Sequence, residues 1–238
     1  MHADFQTILN WRLLAGSHPF PGPDGGTCIN EAAIVAAGLP YRAIRSSADC
    51  PPCFSRPIAA YALGLNDAMP DEARTQLIAF VLRLSGSADR PEVEAARTRR
   101  LALESIRRIL APLCARAGMA EHEEACAGAP NLALALAAAR SAAWQGGALA
   151  QEAARARRWR DGALQSAVAR TATAAQRAAE DARCAAEVAE GAAPFVPDVW
   201  ARACAILDDA LAIGRQAPEI DLRGARARLD AARGRVPA

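Results

Sequence analysis

The stretch Thr27–Pro40, TCINEAAIVAAGLP, decides how the rest of the chain is read. It opens on Thr27, whose hydroxyl can accept from the free N–H groups of a first helical turn. It runs on through Ile29, Ala32, Ala33, Ile34 and Val35, apolar nearly all round, as in a buried helix. It stops at Gly38, with Pro40 just beyond, a common way for a helix to end. Thr27 is therefore expected to cap a helix over residues 28–37. The loop before it, residues 17–26, holds three prolines and three glycines and is too irregular for a regular element.

Outward from that stretch the rhythm is helical. Phe5, Ile8, Leu9 and Leu13 share a helix face, which predicts a helix over residues 3–14 ending at Gly16. Residues 39–55 form a second loop, after which Pro57 suits a first helical turn and Ile58, Tyr61, Ala62 and Leu65 follow helical spacing. Asn66–Pro70 is expected to turn, and Asp71 and Glu72 suit the positive end of the next helix. There Leu77, Phe80, Val81 and Leu84 repeat the apolar pattern. Asp89 and Glu92 predict a capping box for a long helix with Leu103, Ile106, Leu110 and Leu113 on its buried face, and Pro112 should kink or end it. Residues 119–127 read as a short acidic helix.

From Asn131 to about Ala193 the chain turns Ala-rich and Arg-studded, with high helix propensity and Gly146–Gly147 as the clearest internal break. Its large apolar residues, among them Trp144, Trp159 and Val168, do not line one clean stripe. After Pro194 and Pro197, the residues Trp200, Cys204, Leu207 and Leu211 share a face, and Ile220–Ala232 is expected to return as the second helix of a hairpin. Little alternates with period two. The expected fold is all-α: an irregular multi-helix bundle with two Gly/Pro/Cys-rich loops near the N-terminus and long Ala-rich helices in the C-terminal half. Two domains are expected, a helical core over residues 1–128 that carries the loops and an Ala-rich region over 129–238 that ends in the hairpin.

The 238 residues carry a net charge of +2 and no lysine, every basic side chain other than histidine being Arg. The two short basic runs, Arg97–Arg100 and Arg155–Arg160, fall in helical sequence and read as solvated faces, so a nucleic-acid partner is not favoured. Residues 1–15 lack a basic start and an apolar run, so no secretory leader is expected, and no apolar window is long enough to cross a membrane. Seven cysteines without a leader point to reduced thiols in a cytoplasmic protein.

Three runs carry a resemblance: GGTCINEAAIVAAG at Gly25–Gly38, CPPCFSRPIAAYALGLNDAMPDEAR at Cys50–Arg74, and FVLRLSGSADRPEVEAAR at Phe80–Arg97. Together they resemble a bacterial and phage-encoded protein family without an assigned activity. It shares a GG-x-C-x-x-EAA motif, an LND-x-MPD turn and an Ala-rich helical tail. The resemblance covers roughly residues 11–100. It implies that this part is the defining unit and the Ala-rich part a variable one, and it carries over no catalytic residue.

The loops hold the residues with chemistry. Cys28, at the first position of a helix capped by Thr27, would feel N–H groups and a dipole that favour a thiolate. His18 could serve as its base, oriented by Asp24 or Glu31, which would make a thiol-dependent hydrolase or transferase. Equally, Cys28 may be read as a small buried residue. Cys50 and Cys53 have the C-x-x-C spacing of a zinc site, and Cys28 and His18 would complete a Cys3His set that pins the two loops. A thioredoxin-like use of CPPC lacks its βαβ setting, and Gly25–Gly26–Thr27 lacks a P-loop lysine. Asn66, Asp67, Asp71 and Glu72 fit helix ends better than an acid–base pair, and His122 among Glu121, Glu123 and Glu124 reads as exposed. The leading expectation is a non-catalytic helical interaction or structural protein of mobile-element type with a protein partner. The thiol enzyme and the zinc-pinned binding module are its alternatives.

Overall fold

The structure, a computed structural model, describes residues 12–17, 26–215 and 222–233. It is all-α, and among those residues the only β pairing is two isolated bridges, Leu13 with Thr27 and Phe54 with Ser85. The helices are α1 (Ile29–Ala36), α2 (Arg56–Ala68), α3 (Asp71–Arg74), α4 (Val81–Leu84), α5 (Pro91–Ser105) and α6 (Ala111–Arg116). They continue with α7 (Ala120–Ala127), α8 (Leu132–Arg155), α9 (Trp159–Arg177), α10 (Arg183–Ala192), α11 (Val199–Leu211) and α12 (Leu222–Arg233). The helix expected over residues 3–14 lies outside the described residues except at its end, where Leu13 is extended and pairs with Thr27.

The chain divides into two compact units, Met1–Ala95 with Leu211–Ala238, and Ala96–Ala210. Both divisions fall away from residue 128, and packing gives the reason. In the second unit α7 packs on α6 and on α8, so the helices before residue 128 stay with the Ala-rich ones. In the first unit α12 packs on α1. The Arg228 guanidinium donates to the Ala36 carbonyl from Nε and Nη2 at 3.0 and 2.7 Å. A cation on the last carbonyls of a helix meets the negative end of its dipole. Gly38, at φ +73°, turns the chain away from α1 in a conformation that suits glycine.

The first unit buries Ile29, Ile34, Ile58, Leu65, Leu77 and Leu84 against one another's helices. Pro57 lies in the first turn of α2 as expected, but α2 continues through Asn66 to Ala68, so no turn opens at Asn66. At the start of α5 the carboxylate that reaches back is Glu94, which accepts from the Asp89 N–H at 2.8 Å, and not Glu92. In the second unit Pro112 lies in the first turn of α6. A π-helical stretch, Ile106–Leu110, precedes it, and α6 runs on to Arg116. The wider i→i+5 turn suits a ring that lacks an N–H.

Gly146–Gly147 does not break α8, which is continuous from Leu132 to Arg155. Its buried positions are Ala135, Ala139, Ala142, Gly146 and Ala153, an all-small face that allows α9 to come close. A methyl group at Gly146 would lie 2.9 Å from the Gln165 carbonyl oxygen and 3.2 Å from the Ala169 nitrogen, both backbone atoms of α9. The break falls at Arg157, which adopts φ 55° while Arg158 N–H donates back to Ala153 at 2.8 Å.

The two glycines should therefore respond oppositely to alanine. Gly146→Ala meets backbone that cannot step aside and is expected to lose about 1–3 kcal/mol. At Gly147 an added methyl meets nothing within 4 Å, and the variant should gain about 0.5–1 kcal/mol from helix propensity. Urea unfolding of the two single variants reads both signs.

Candidate functional site

The loops converge on α1 in the first unit. The N-cap of α1 is Cys28 and not Thr27. Cys28 Sγ accepts from the Glu31 N–H at 3.5 Å, and the Glu31 Oε2 accepts from the Cys28 N–H at 2.9 Å, a capping box with sulfur in the usual oxygen's place. Thr27 is taken by the bridge instead. Its N–H donates to the Arg12 carbonyl at 3.3 Å, and its carbonyl accepts from the Leu14 N–H at 3.0 Å. The signal for the right register was present in the sequence, since Glu31 stands three residues after Cys28, whereas Thr27 is followed at that distance by Asn30.

Glu31 is fully buried. Besides Cys28, its Oε1 accepts from the Ser17 hydroxyl at 3.1 Å and from the Ile44 N–H at 2.9 Å. Tyr41 also hydrogen-bonds to it, and the phenol's pKa is pushed up by burial first and then by the carboxylate beside it. One carboxylate thus joins the first loop, the second loop and the start of α1. The residue that sequence reading offered as an orienting acid for His18 is the polar centre of the region.

A second polar centre lies next to it. Asn66, also fully buried, accepts at Oδ1 from the Ile29 N–H at 3.1 Å and donates from Nδ2 to the Leu14 carbonyl at 2.7 Å. The buried Arg74 donates from Nε to the Asn66 carbonyl at 2.7 Å, from Nη2 to the Met69 carbonyl at 2.5 Å, and from Nη1 to Asp71 at 2.6 Å. The hydrogen bond to that guanidinium holds the exposed Asp71 carboxyl below its ordinary range. Asp67 accepts from the Gly16 N–H at 2.9 Å. Asn66 and Asp67, read as helix-end residues, therefore tie down the chain at Leu14 and Gly16.

The second loop is closed by its own groups. Asp49 accepts at Oδ2 from the N–H groups of Arg45 and Ser46 at 3.0 and 2.8 Å, and these bonds hold its carboxyl low. Arg56 donates to the Ser47 carbonyl and, at 2.7 Å, to that of Cys50. The Cys53 carbonyl accepts from the Ala88 N–H at 3.0 Å.

The candidate nucleophile and metal ligands are placed as follows. Cys28 is 0% exposed, and burial first, then the Glu31 charge, pushes its thiol well above the ordinary value. A helix start lowers a thiol pKa only where the charged form stays solvated. Cys50 is buried with its thiol pushed up to about 12 by burial, and Cys53 is half-buried with its sulfur 3.8 Å from the Ser85 hydroxyl. His18 and Asp24 lie outside the described residues. Among the described residues no group of three or more His, Cys, Asp or Glu side chains is arranged to hold a metal. All seven cysteines are free. Cys114 and Cys126 form a buried hydrogen-bonded pair in the second unit, which raises the first thiol and lowers the second. His122 hydrogen-bonds Ser141 at 3.2 Å. No helix among the described residues is long and apolar enough to cross a membrane.

No family model, curated protein or solved structure matches the chain.

Two variants test this reading of the polar centre. Glu31→Gln leaves one acceptor oxygen where two serve, so either Cys28 N–H or the pair Ile44 N–H and Ser17 faces an NH2 group. The expected loss is about 2–3 kcal/mol by urea unfolding. For Cys28 the native pKa is raised. The unfolded thiol therefore deprotonates first, and stability that is full below about pH 8.5 is lost as the pH rises beyond it. Cys28→Ser keeps a capping acceptor but does not titrate there, so its stability should fall less steeply than the parent's from pH 8.5 to 10.5, a range of about two units above the free thiol value.

Proposed function

We propose that the protein is a non-catalytic helical interaction protein, acting on a protein partner through the outward face of α8. At about 100° per residue, Leu134, Ala137, Arg140, Ser141, Trp144 and Ala148 fall on one side of that helix, and all six are exposed. The observation that carries the reading is the position of the large side chains: Trp144 is 74% exposed and Leu134 53% exposed, while the face opposite is all Ala and Gly. An apolar stripe on the solvent side of a helix is a common basis for helix-in-groove recognition. Among the described loop residues, Cys28 and Glu31 are engaged in the cap of α1, which supports a role without catalysis. Seven free thiols fit a reducing, cytoplasmic setting, and the motif resemblance adds a mobile-element context.

Two measurements test the two halves of this reading. Iodoacetamide should label Cys28 in the folded protein at least a hundredfold more slowly than in the urea-unfolded chain, on the order expected for a fully buried, protonated thiol. Labelling as fast as the unfolded chain, or a turnover that depends on Cys28, would return the thiol enzyme to first place. A photo-crosslinking benzophenone amino acid placed at Trp144 in living cells should give a discrete protein adduct, and one placed at exposed Arg116 should not. Equal, diffuse labelling from both positions would remove the interaction face.

A further inference from the structure

The basic run Arg155–Arg160 does not form one helix face. α8 ends at Arg155, α9 begins at Trp159, and Arg157 turns the chain between them at φ 55°. The connection therefore gathers four arginines and a tryptophan, all exposed. Arg158 pairs with Glu152 at 3.7 Å, while Arg155, Arg157 and Arg160 enter none of the ion pairs found among the described residues. Arg157, Arg158 and Arg160 stand at the start of α9, where the helix dipole disfavours positive charge, and the N-cap Arg158 gives the first turn no side-chain acceptor. A bound anion would offset both. Beside the connection, α9 and the ends of α8 and α10 enclose a cleft of about 540 Å³, the size of a small-molecule site. Trp159, 69% exposed, forms part of its wall with Gly162 and the half-buried Phe195. Arg170 and Glu190 line it too, and both are exposed. Neither side chain joins an ion pair or hydrogen bond found among the described residues. One opening thus combines an indole, a free donor and a free acceptor, with unpaired arginines beside it.

We propose that this cleft takes a nucleotide, free or as a unit of a single strand, with its base stacked on Trp159 and its phosphate held by Arg157 and Arg160. The inference is independent of the outward face of α8. A base has a flat π-face for the indole, and stacking of this kind tolerates any base. Its edge carries donors and acceptors side by side, which suits Glu190 and Arg170 together. The phosphate supplies the charge that the start of α9 lacks, and guanidinium groups hold phosphate oxygens in a two-pronged, charge-assisted geometry. An acidic peptide would match the arginines, but it offers Trp159 no ring and sets its carboxylates against Glu190. A lipid surface calls for apolar side chains that project past the charges. The one large apolar residue of the run, Trp159, belongs to the wall of the cleft instead. A duplex keeps its bases stacked on one another, so the single strand is the form that fits.

The test measures binding to the full chain by calorimetry at low and at physiological salt. The probes are adenosine monophosphate, a short mixed-sequence DNA strand, the same strand without bases, its duplex, polyglutamate, and vesicles of phosphatidylserine. The strand with bases should bind at least about tenfold more tightly than the abasic strand or the duplex. Affinity should fall as salt rises, and Arg157→Glu with Arg160→Glu should flatten that dependence. Trp159→Ala should lose at least about tenfold in affinity for the strand, Trp159→Phe should keep most of it, and Trp144→Ala should leave it unchanged. Thermal melts of the Trp159 variants should match the parent, since that side chain is exposed. Adenosine monophosphate binding as tightly as the strand identifies the free nucleotide as the ligand, and binding of the strand alone identifies the polymer; either supports the proposal. Equal affinity for the abasic strand or polyglutamate would overturn it in favour of charge alone. Tighter binding to the vesicles than to any nucleotide would overturn it in favour of a lipid surface. Binding of neither the strand nor the mononucleotide at low salt ends it outright.

Discussion

The first unit depends on a carboxylate that has been taken fully out of water. An ionised group in that position is tolerated only when its lone pairs are engaged. The partners of Glu31 come from separate parts of the chain: the Cys28 N–H within its own helix turn, the Ser17 hydroxyl from the first loop, and the Ile44 N–H and Tyr41 from the second. The first loop is rich in Gly and Pro, and the second holds Pro40, Pro51 and Pro52 without a glycine. The requirement to satisfy one buried carboxylate ties Ser17, and the second loop at Tyr41 and Ile44, to the start of α1. Leaving any one such donor unpaired costs about 1–3 kcal/mol, so partial arrangements are poorly populated.

Asn66 and Arg74 extend the same logic. The first N–H groups of α1 need acceptors, and Asn66 supplies one to Ile29 from a helix 37 residues further on. Arg74 then collects carbonyls that the end of α2 leaves over. The loops are thus held by polar ties directed inward, and this explains why their unusual composition looks like a catalytic centre. Glycine admits the close approach of chain to chain, and the cysteine, asparagine and glutamate occupy capping positions. Cys28 and Glu31 both act there as hydrogen-bond acceptors.

The helices were legible in the sequence wherever a local rule governs them, because periodicity, caps and prolines act within a few residues. α1, α2, the acidic α7 and the Ala-rich region lie close to where those rules put them. The failures have specific causes. Thr27 is the better intrinsic cap, but the long-range bridge to Leu13 claims its backbone, and the register passes to Cys28. Gly146 reads as a breaker, yet it is there because a neighbouring backbone passes within contact distance. At Pro112 the helix type changes, since a π stretch ends just before it. At the site, Cys28 was visible as unusual. The importance of Asn66 and Arg74 was not, because their partners lie up to 61 residues away in sequence and only the fold brings them together.

Composition explains why α8 has Leu134 and Trp144 turned outward. A helix pair packed through alanine and glycine approaches closely and gains contact along its whole length, but each residue removes little area from water. A tryptophan on that inward face would force α8 and α9 apart, so the sequence keeps Trp144 out of it. Placed on the outer face at 74% and 53% exposure, Trp144 and Leu134 add less to folding than buried side chains of their size would. A large apolar side chain moved fully from water into a packed setting contributes about 1.5–3 kcal/mol. Most of that stabilisation is left unused at Trp144, and an association of the kind proposed above would draw on it. An outer face that carried no partner would be served as well by glutamate or arginine, which this chain places freely elsewhere. The near absence of charge from Asn131 to Gln151 is the feature of this helix that the interaction proposed above accounts for.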